Sequence, residues 1–335
     1  NLVYRRGYVY VQRHNHHQDF PALYPEKPVN HQSVSLWSEN MIDFVGNRSW
    51  FFFISALMLI ASIASLAIFG LKPGIDFSGG TSLTLEFNST VQQSQLRQAM
   101  ANLGYSEATI QSAGPGSFTV YVREISAQER DTLQNNLETS LGTRLNITNY
   151  YSTSPMIGAS TARNAGIAVI IAAIGMLIYM AWAFRKMPKP FRWGMSAVLA
   201  LLHDVVILMG IFSFLGWIAG IEVDALFITA VLTIVGYSIN NTCVVYDRIR
   251  ENMTRGISPD FAQTVNYSLV ETVARCINSS LTAVFTILAV FLFGGITIHY
   301  FMLALLIGVT IGTYDSVCIA GELLVTWEKG EFGKI

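Results

Sequence analysis

Six runs of apolar residues, each near the ~20 residues that a helix needs to cross ~30 Å of hydrocarbon, decide what this chain can be. They are Trp50–Phe69, Asn164–Phe184, Phe191–Leu215, Asp224–Tyr246, Thr272–Phe293 and His299–Val325. In lipid, backbone polar groups must be satisfied within the segment, which a helix does. Composition agrees: 52% of the 335 residues are hydrophobic and 13% are charged, about half the ~25% usual in soluble domains. The net charge of −1 gives no electrostatic case for nucleic acid as a partner. The sequence predicts a polytopic α-helical membrane protein with six transmembrane helices.

Between the first two runs the character changes. Thr81–Phe87 alternates like a strand, and Val91–Leu103 has helical spacing with Gly104 as its stop. Thr109–Ala113 and Ser117–Val122 read as a hairpin around Gly114-Pro115-Gly116. Ser126 and Glu129 form a capping box for a helix that runs to Leu141, before Gly142. Leu145–Tyr151 is the last strand. The order β-α-β-β-α-β is ferredoxin-like.

Orientation follows from Lys and Arg in the loops. Arg5, Arg6, Arg13, Lys27 and Arg48 precede the first run. Arg185, Lys186, Lys189 and Arg192 follow the second, Arg248, Arg250 and Arg255 the fourth, and Lys329 and Lys334 the sixth. If every run spans, all lie on one side, whereas the turns Gly216–Val223 and Gly294–Ile298 carry none. Both termini are therefore expected in the cytoplasm. The expected divisions are a cytoplasmic segment 1–48, a first span 49–70, an extracytoplasmic ferredoxin-like domain 71–158, spans two to six over 159–325, and a cytoplasmic tail 326–335. Residues 1–30 read as an irregular solvated tail that includes His14, His16 and His17. Residues 33–48 read as an amphipathic lead-in, with Trp37 and Trp50 suited to a membrane interface. The first apolar run starts near Trp50, so no cleavable signal is expected at the front.

Polar groups in hydrocarbon are expensive and each asks for a reason. The third run holds His203 and Asp204. The fourth opens with Glu222 and Asp224, carries Gly236-Tyr-Ser-Ile-Asn-Asn241 at mid-depth, and closes with Asp247, Arg248, Arg250 and Glu251. The fifth holds Arg275 and Asn278-Ser-Ser280, and the sixth Asp315. The expected arrangement is a polar seam between spans three, four and five, in which Asn240, Asn241 and Arg275 meet in the bundle interior. His203 or Asp204 joins them if their depths match. Such a seam either relays protons or locks helices by hydrogen bonds. The charged end of the fourth span reads as neighbouring ion pairs at the membrane interface. Small residues, Gly158, Gly166 and Gly175 near the second span and Gly308 and Gly312 in the sixth, suit close helix approach. Cys243, Cys276 and Cys318 read as apolar packing residues, with no disulfide framework. No nucleotide loop, zinc spacing or nucleophile elbow is visible, so no metal, cofactor or enzymatic activity is expected.

Three motifs carry a resemblance. Gly74-Ile-Asp76-Phe-Ser-Gly79-Gly80-Thr81 follows the first span, Leu202-His-Asp-Val205 lies in the third, and Gly236-Tyr237-Ser-Ile-Asn-Asn241 with Val244-Val-Tyr-Asp247-Arg248-Ile-Arg250-Glu251-Asn252 lies in and after the fourth. Together they resemble the SecF branch of the SecD/SecF family of protein-export membrane subunits, over roughly residues 40–325. The resemblance implies a six-span partner, SecD, in a fold like that of resistance-nodulation-division exporters. It implies use of the proton gradient to draw translocating preproteins from the SecYEG channel in a prokaryotic inner membrane, with YajC as a frequent companion and lipids around the spans. The family usually carries Asp where this chain has Asn241, and it carries a functional Arg at the position of Arg275. An amide does not exchange a proton near neutral pH. Half of the implied proton site is thus present, and titration is expected to fall on SecD's Asp or on Asp204. A scaffold subunit without its own proton site, or a small-molecule or lipid exporter of the resistance-nodulation-division type, are the competing readings.

Overall fold

A computed structural model describes residues 2–5, 8–11, 42–295 and 298–330. Before Met41, β1 (Leu2–Arg5) and β2 (Tyr8–Val11) pair antiparallel, Leu2 opposite Val11. This hairpin corrects the expectation of an irregular tail. Its alternating Tyr and Val residues have strand preference, which the interspersed charge obscured. The histidine cluster and Trp37 fall outside the described residues.

From Ile42 onward the elements are α1 (Arg48–Phe69), α2 (Ile75–Ser78), β3 (Gly80–Phe87), α3 (Gln93–Asn102), β4 (Thr109–Gly114), β5 (Ser117–Val122), α4 (Ala127–Leu141), β6 (Leu145–Thr153), α5 (Pro155–Ala183), α6 (Pro190–Ala219), α7 (Ala225–Arg255), α8 (Phe261–Phe293), α9 (His299–Cys318) and α10 (Ala320–Lys329). The four strands β3 to β6 form one antiparallel sheet in the order β4-β5-β3-β6. With α3 and α4 this is the ferredoxin-like arrangement. Alternation puts Leu83, Leu85, Phe118 and Val120 on the face that α3 and α4 cover with Leu96, Met100, Leu133 and Leu137. The Ser126 hydroxyl accepts from the Glu129 N–H, and the Glu129 carboxylate accepts in return from the Ser126 N–H. Gly142 closes α4 at φ +64°, a conformation that favours glycine.

Among the described residues, six helical segments are long and apolar enough to cross a membrane: α1, α5, α6, α7, α8, and α9 with α10. The chain is a multi-pass membrane protein. Several helices exceed their apolar runs. α5 starts at Pro155 rather than near Asn164, α7 continues past Tyr246 to Arg255, and α8 starts at Phe261 rather than near Thr272. The extra turns carry polar residues such as Gln263, Asn266 and Glu271, which hydropathy reads as loop although they lie in regular helix. The sixth span is broken at Ile319 (φ −124°, ψ −52°), which separates α9 from α10.

Burial sorts the spans into two shells. In the most apolar windows of α6, α7 and the sixth span, 61%, 50% and 50% of residues are buried, against 11%, 6% and 11% in α1, α5 and α8. The central three form the packed seam, and the others flank it. Glycines allow two of the close approaches. A Cβ on Gly210 of α6 would overlap Ser62 of α1, and one on Gly308 of α9 would overlap Ile234 of α7.

Candidate functional site: a polar centre among the spans

At the middle of the central shell, α6, α7 and α9 bring polar groups together. His203 and Asp204 are adjacent on α6, Ser238 and Thr242 lie one turn apart on α7, and Asp315 and Ser316 sit on α9. The Ser238 hydroxyl donates to Asp204 Oδ2 at 2.6 Å. His203 Nδ1 lies 3.2 Å from Asp204 Oδ1 and 3.4 Å from Asp315 Oδ1. Asp204 and Asp315 are 1% and 0% exposed. Gly312 makes the approach possible, because a Cβ there would stand 3.1 Å from Ser238 Cβ and 3.3 Å from Asp204 Oδ2. Thr242 and Ser316 return their hydroxyls to the Ser238 carbonyl at 3.1 and 3.4 Å, so the local backbone is satisfied. Neither oxygen of Asp315 and not His203 Nε2 has a hydrogen-bond partner among the described residues.

A second cluster centres on Ser280 of α8. Its hydroxyl accepts from Tyr237 at 3.0 Å and from the Asn241 amide at 3.3 Å, and it lies 2.6 Å from the Thr313 hydroxyl, which itself donates to the Val309 carbonyl. Asn241 is buried here, as expected. Asn240 and Arg275 are not: both are exposed on the surface of the bundle. The expectation that they meet Asn241 in the interior is corrected by helical phase, since residues adjacent along a helix point ~100° apart. The seam also joins spans three, four and six more tightly than three, four and five. Asp315 was visible as a charge in an apolar run, but nothing in the linear order paired it with His203. Ser238 sat unremarked inside the Gly236–Asn241 motif. Glu322 of α10 was missed altogether: it is fully buried, with no hydrogen-bond partner on either oxygen among the described residues.

The glycine motif after the first span is a joint. The Gly74 N–H donates to the Val223 carbonyl at 2.7 Å, and the Val223 N–H to the Lys72 carbonyl at 2.8 Å. This ties the entry of the sheet domain to the turn before α7. Asp76 Oδ2 accepts from the Ala225 N–H at 3.1 Å, and Asp224 Oδ1 from the Phe227 N–H at 2.8 Å. Two carboxylates thus occupy the N-terminus of α7, the positive end of its dipole. Gly79 (φ +77°) and Gly80 (φ +134°) take conformations that side chains avoid, and a Cβ on either would stand 2.6 Å from backbone atoms of Pro155 or Val122. Burial pushes the Glu222 carboxyl above its usual range, although the Lys72 ammonium at 3.4 Å pulls it down. Burial likewise raises Asp224, with nearby Asp76 adding repulsion. The Tyr121 phenol is raised by burial first and by these carboxylates second.

The far end of α7 carries the expected ion pairs. Asp247 meets Arg250 at 2.9 Å, and Arg248 meets Glu251 at 2.6 Å and Glu271 of α8 at 2.5 Å. Asn252 donates to Ser268 and Glu271, each at 2.9 Å. Arg248 therefore fastens α7 to α8, so the structure gives this part of the motif a packing role. Gly236, by contrast, has open space where a Cβ would stand.

The chain matches two family descriptions: the C-terminal region of the protein export membrane proteins SecD/SecF over residues 133–330, and the SecD/SecF GG motif over residues 64–91. Relatives include the protein translocase subunit SecF of Thermobaculum terrenum, 43% identical over 88% of this chain and 96% of the relative. The SecF of Anaerolinea thermophila is 38% identical over 87% of this chain and 96% of the relative. The fused SecDF of Bacillus subtilis is 33% identical over 87% of this chain, which spans only 39% of that protein. A crystal structure of SecDF, a translocon-associated membrane protein from Thermus thermophilus, superposes with a TM-score of 0.78 at 31% identity, over 91% of this chain and 40% of SecDF. Fold, motifs and relatives agree: the chain belongs to the SecD/SecF family of protein-export membrane proteins, on its SecF side.

Proposed function

We propose that this chain works as the SecF-type half of a proton-driven unit that helps draw preproteins out of the SecYEG channel. A SecD-type subunit supplies the other half, with YajC a frequent companion. The observation that carries the reading is a polar surface on membrane-spanning helices: Asn240 on α7 and Arg275, Asn278 and Ser279 on α8 are all exposed in this chain. Such groups do not face lipid, so a second protein covers them. SecDF proteins support SecD as that protein, because this chain corresponds to 39% or 40% of their length. The reading places the chain in a prokaryotic inner membrane with both termini in the cytoplasm and residues 71–158 outside, on the charge of the loops.

Within that unit Arg275 faces the partner, and Asn241, held by Ser280 at 3.3 Å, replaces a titratable group with a hydrogen-bonding one. The partner's carboxylate then carries the proton at this interface. The test is co-purification with the SecD-type subunit, followed by export into proton-energised vesicles with the natural chain and with Asn241→Asp. The expected result is a stable pair whose export changes its pH dependence on Asn241→Asp. Export indifferent both to the proton gradient and to that substitution would instead favour a scaffold subunit.

A further inference from the structure

Asp204 belongs to the motif in the third span, but no motif marks its pairing with Asp315, and the two carboxylates are unequally served. Asp204 has two donors, the Ser238 hydroxyl at 2.6 Å and His203 Nδ1 at 3.2 Å, which solvate an ionised carboxylate. Asp315 is fully buried, and neither of its oxygens meets a hydrogen-bond donor among the described residues. His203 Nδ1 lies 3.4 Å from its Oδ1. An ionised carboxylate buried without a donor or a cation is costly by several kcal/mol or more, and two carboxylates side by side do not both ionise readily.

We propose that this pair binds one exchangeable proton, carried on Asp315, beside an ionised Asp204 and a neutral His203 protonated on Nδ1. The tautomer follows from the orphan: Nε2 has no hydrogen-bond partner among the described residues, and a bare lone pair in apolar surroundings is cheaper there than an unpaired N–H. The groups facing the pair supply no compensating charge. From α6 there is His203. From α7 there are Ser238 and Tyr246, the latter with its hydroxyl engaged by Ser196 at 2.8 Å and the Ala320 carbonyl at 3.0 Å. From the sixth span come Tyr314, Cys318 and Glu322, the last an additional buried acid. From α8, Arg275 is turned to the outside.

The donor atoms of His203, Asp204 and Asp315 lie within 4.8 Å of one another, a spacing that invites comparison with a metal set. A ligating histidine almost always passes its other N–H to an acceptor. His203 Nε2 has none among the described residues, and that favours the proton. The location also gives the proton a mechanical lever. The Asp315 carbonyl accepts from the Ile319 N–H at 2.9 Å, and Ile319 is the break between α9 and α10, so a change of charge at Asp315 acts one turn from the break in the sixth span.

The proposal deepens the proton-driven reading, but its test does not need export. The full-length chain, labelled at the Asp side-chain carbonyl carbon and reconstituted in lipid nanodiscs, is examined by infrared spectroscopy at neutral pH. The expected spectrum contains the carbonyl stretch of a protonated Asp. That band disappears entirely in Asp315→Asn and persists in Asp76→Asn. Should Asp315→Asn fail to fold, the natural chain is treated with a hydrophobic carbodiimide, which adds only to protonated carboxyls in apolar surroundings, and the adduct is mapped to Asp315 by mass spectrometry. Absence of both band and adduct overturns the proposal. So does one equivalent of a divalent metal that accompanies the natural chain and is lost in Asp315→Asn. If the band behaves as expected while export ignores the proton gradient, the site stands and the proton-driven reading falls.

Discussion

Replacing Gly210 by Ala tests whether the first span is held to the central shell by contact with no space to spare. In the middle of a helix the change alone favours Ala by about 0.5–1 kcal/mol. Here the new Cβ would overlap Cα and Cβ of Ser62 and stand 2.6 Å from its Oγ. Because Cα belongs to the backbone, no rotamer relieves the clash, and α1 and α6 must part. A gap of ~0.5–1 Å forfeits a quarter to a half of each dispersion contact, and overpacking of this kind costs about 1–3 kcal/mol. The net expectation is a destabilisation of about 0.5–2 kcal/mol. Gly175→Ala on α5 is the control, since nothing lies within 4 Å of its Cβ. The assay is thermal unfolding of the purified chain in mild detergent, followed by the reactivity of its three free cysteines, of which Cys276 and Cys318 are buried. Ser62→Gly should restore only part of the loss, because Cα remains. Gly210→Ala as stable as the natural chain, or Gly175→Ala equally destabilised, would refute the reasoning.

Ser238→Ala leaves Asp204 Oδ2 without its 2.6 Å donor. A buried bond to a charged group is worth about 1.5–3 kcal/mol, so the same thermal assay should register that loss, and an unchanged melting curve would show that Asp204 does not depend on the hydroxyl. At the joint between the sheet domain and α7, burial raises Glu222 and Asp224 above their usual carboxylate values. A raised folded value means that the native state holds the proton more tightly than the unfolded chain. The contribution is complete below the ordinary carboxylate value and is lost as pH rises through the raised one. Hydrogen exchange at the Gly74 and Val223 amides, corrected for intrinsic rate, should therefore show protection that falls as pH rises through this window, with a smaller fall in Glu222→Gln. Protection that grows with pH would contradict the assignment.

Much of this molecule was legible in the order of its residues. Six apolar runs required six helices, because lipid offers backbone groups no other partner. The alternation around Leu83 and Val120, the Gly114–Gly116 turn and the Ser126 capping box specified the ferredoxin-like domain, because strand pleat, turn chemistry and caps are local effects. The glycines of the motif after the first span announced a special backbone, and Gly79 and Gly80 carry positive φ. Other glycines were ambiguous: Gly166 and Gly175 face open space, whereas Gly308 and Gly312 receive a neighbouring helix. Their sequences look alike, and only the neighbours differ.

The pairing of polar groups across spans was decided by tertiary structure alone. Hydropathy marked His203, Asp204, Asn240, Asn241, Arg275 and Asp315 as groups that need a reason, and it said nothing about which of them meet. Helical phase turned Asn241 inward and Asn240 outward. Packing of α6, α7 and α9 then set His203 between Asp204 and Asp315, residues more than a hundred positions apart. The number and type of elements follow from short-range chemistry, which the sequence carries residue by residue. The polar centre follows from the rotation and depth of each helix against its neighbours, which depend on the whole bundle at once.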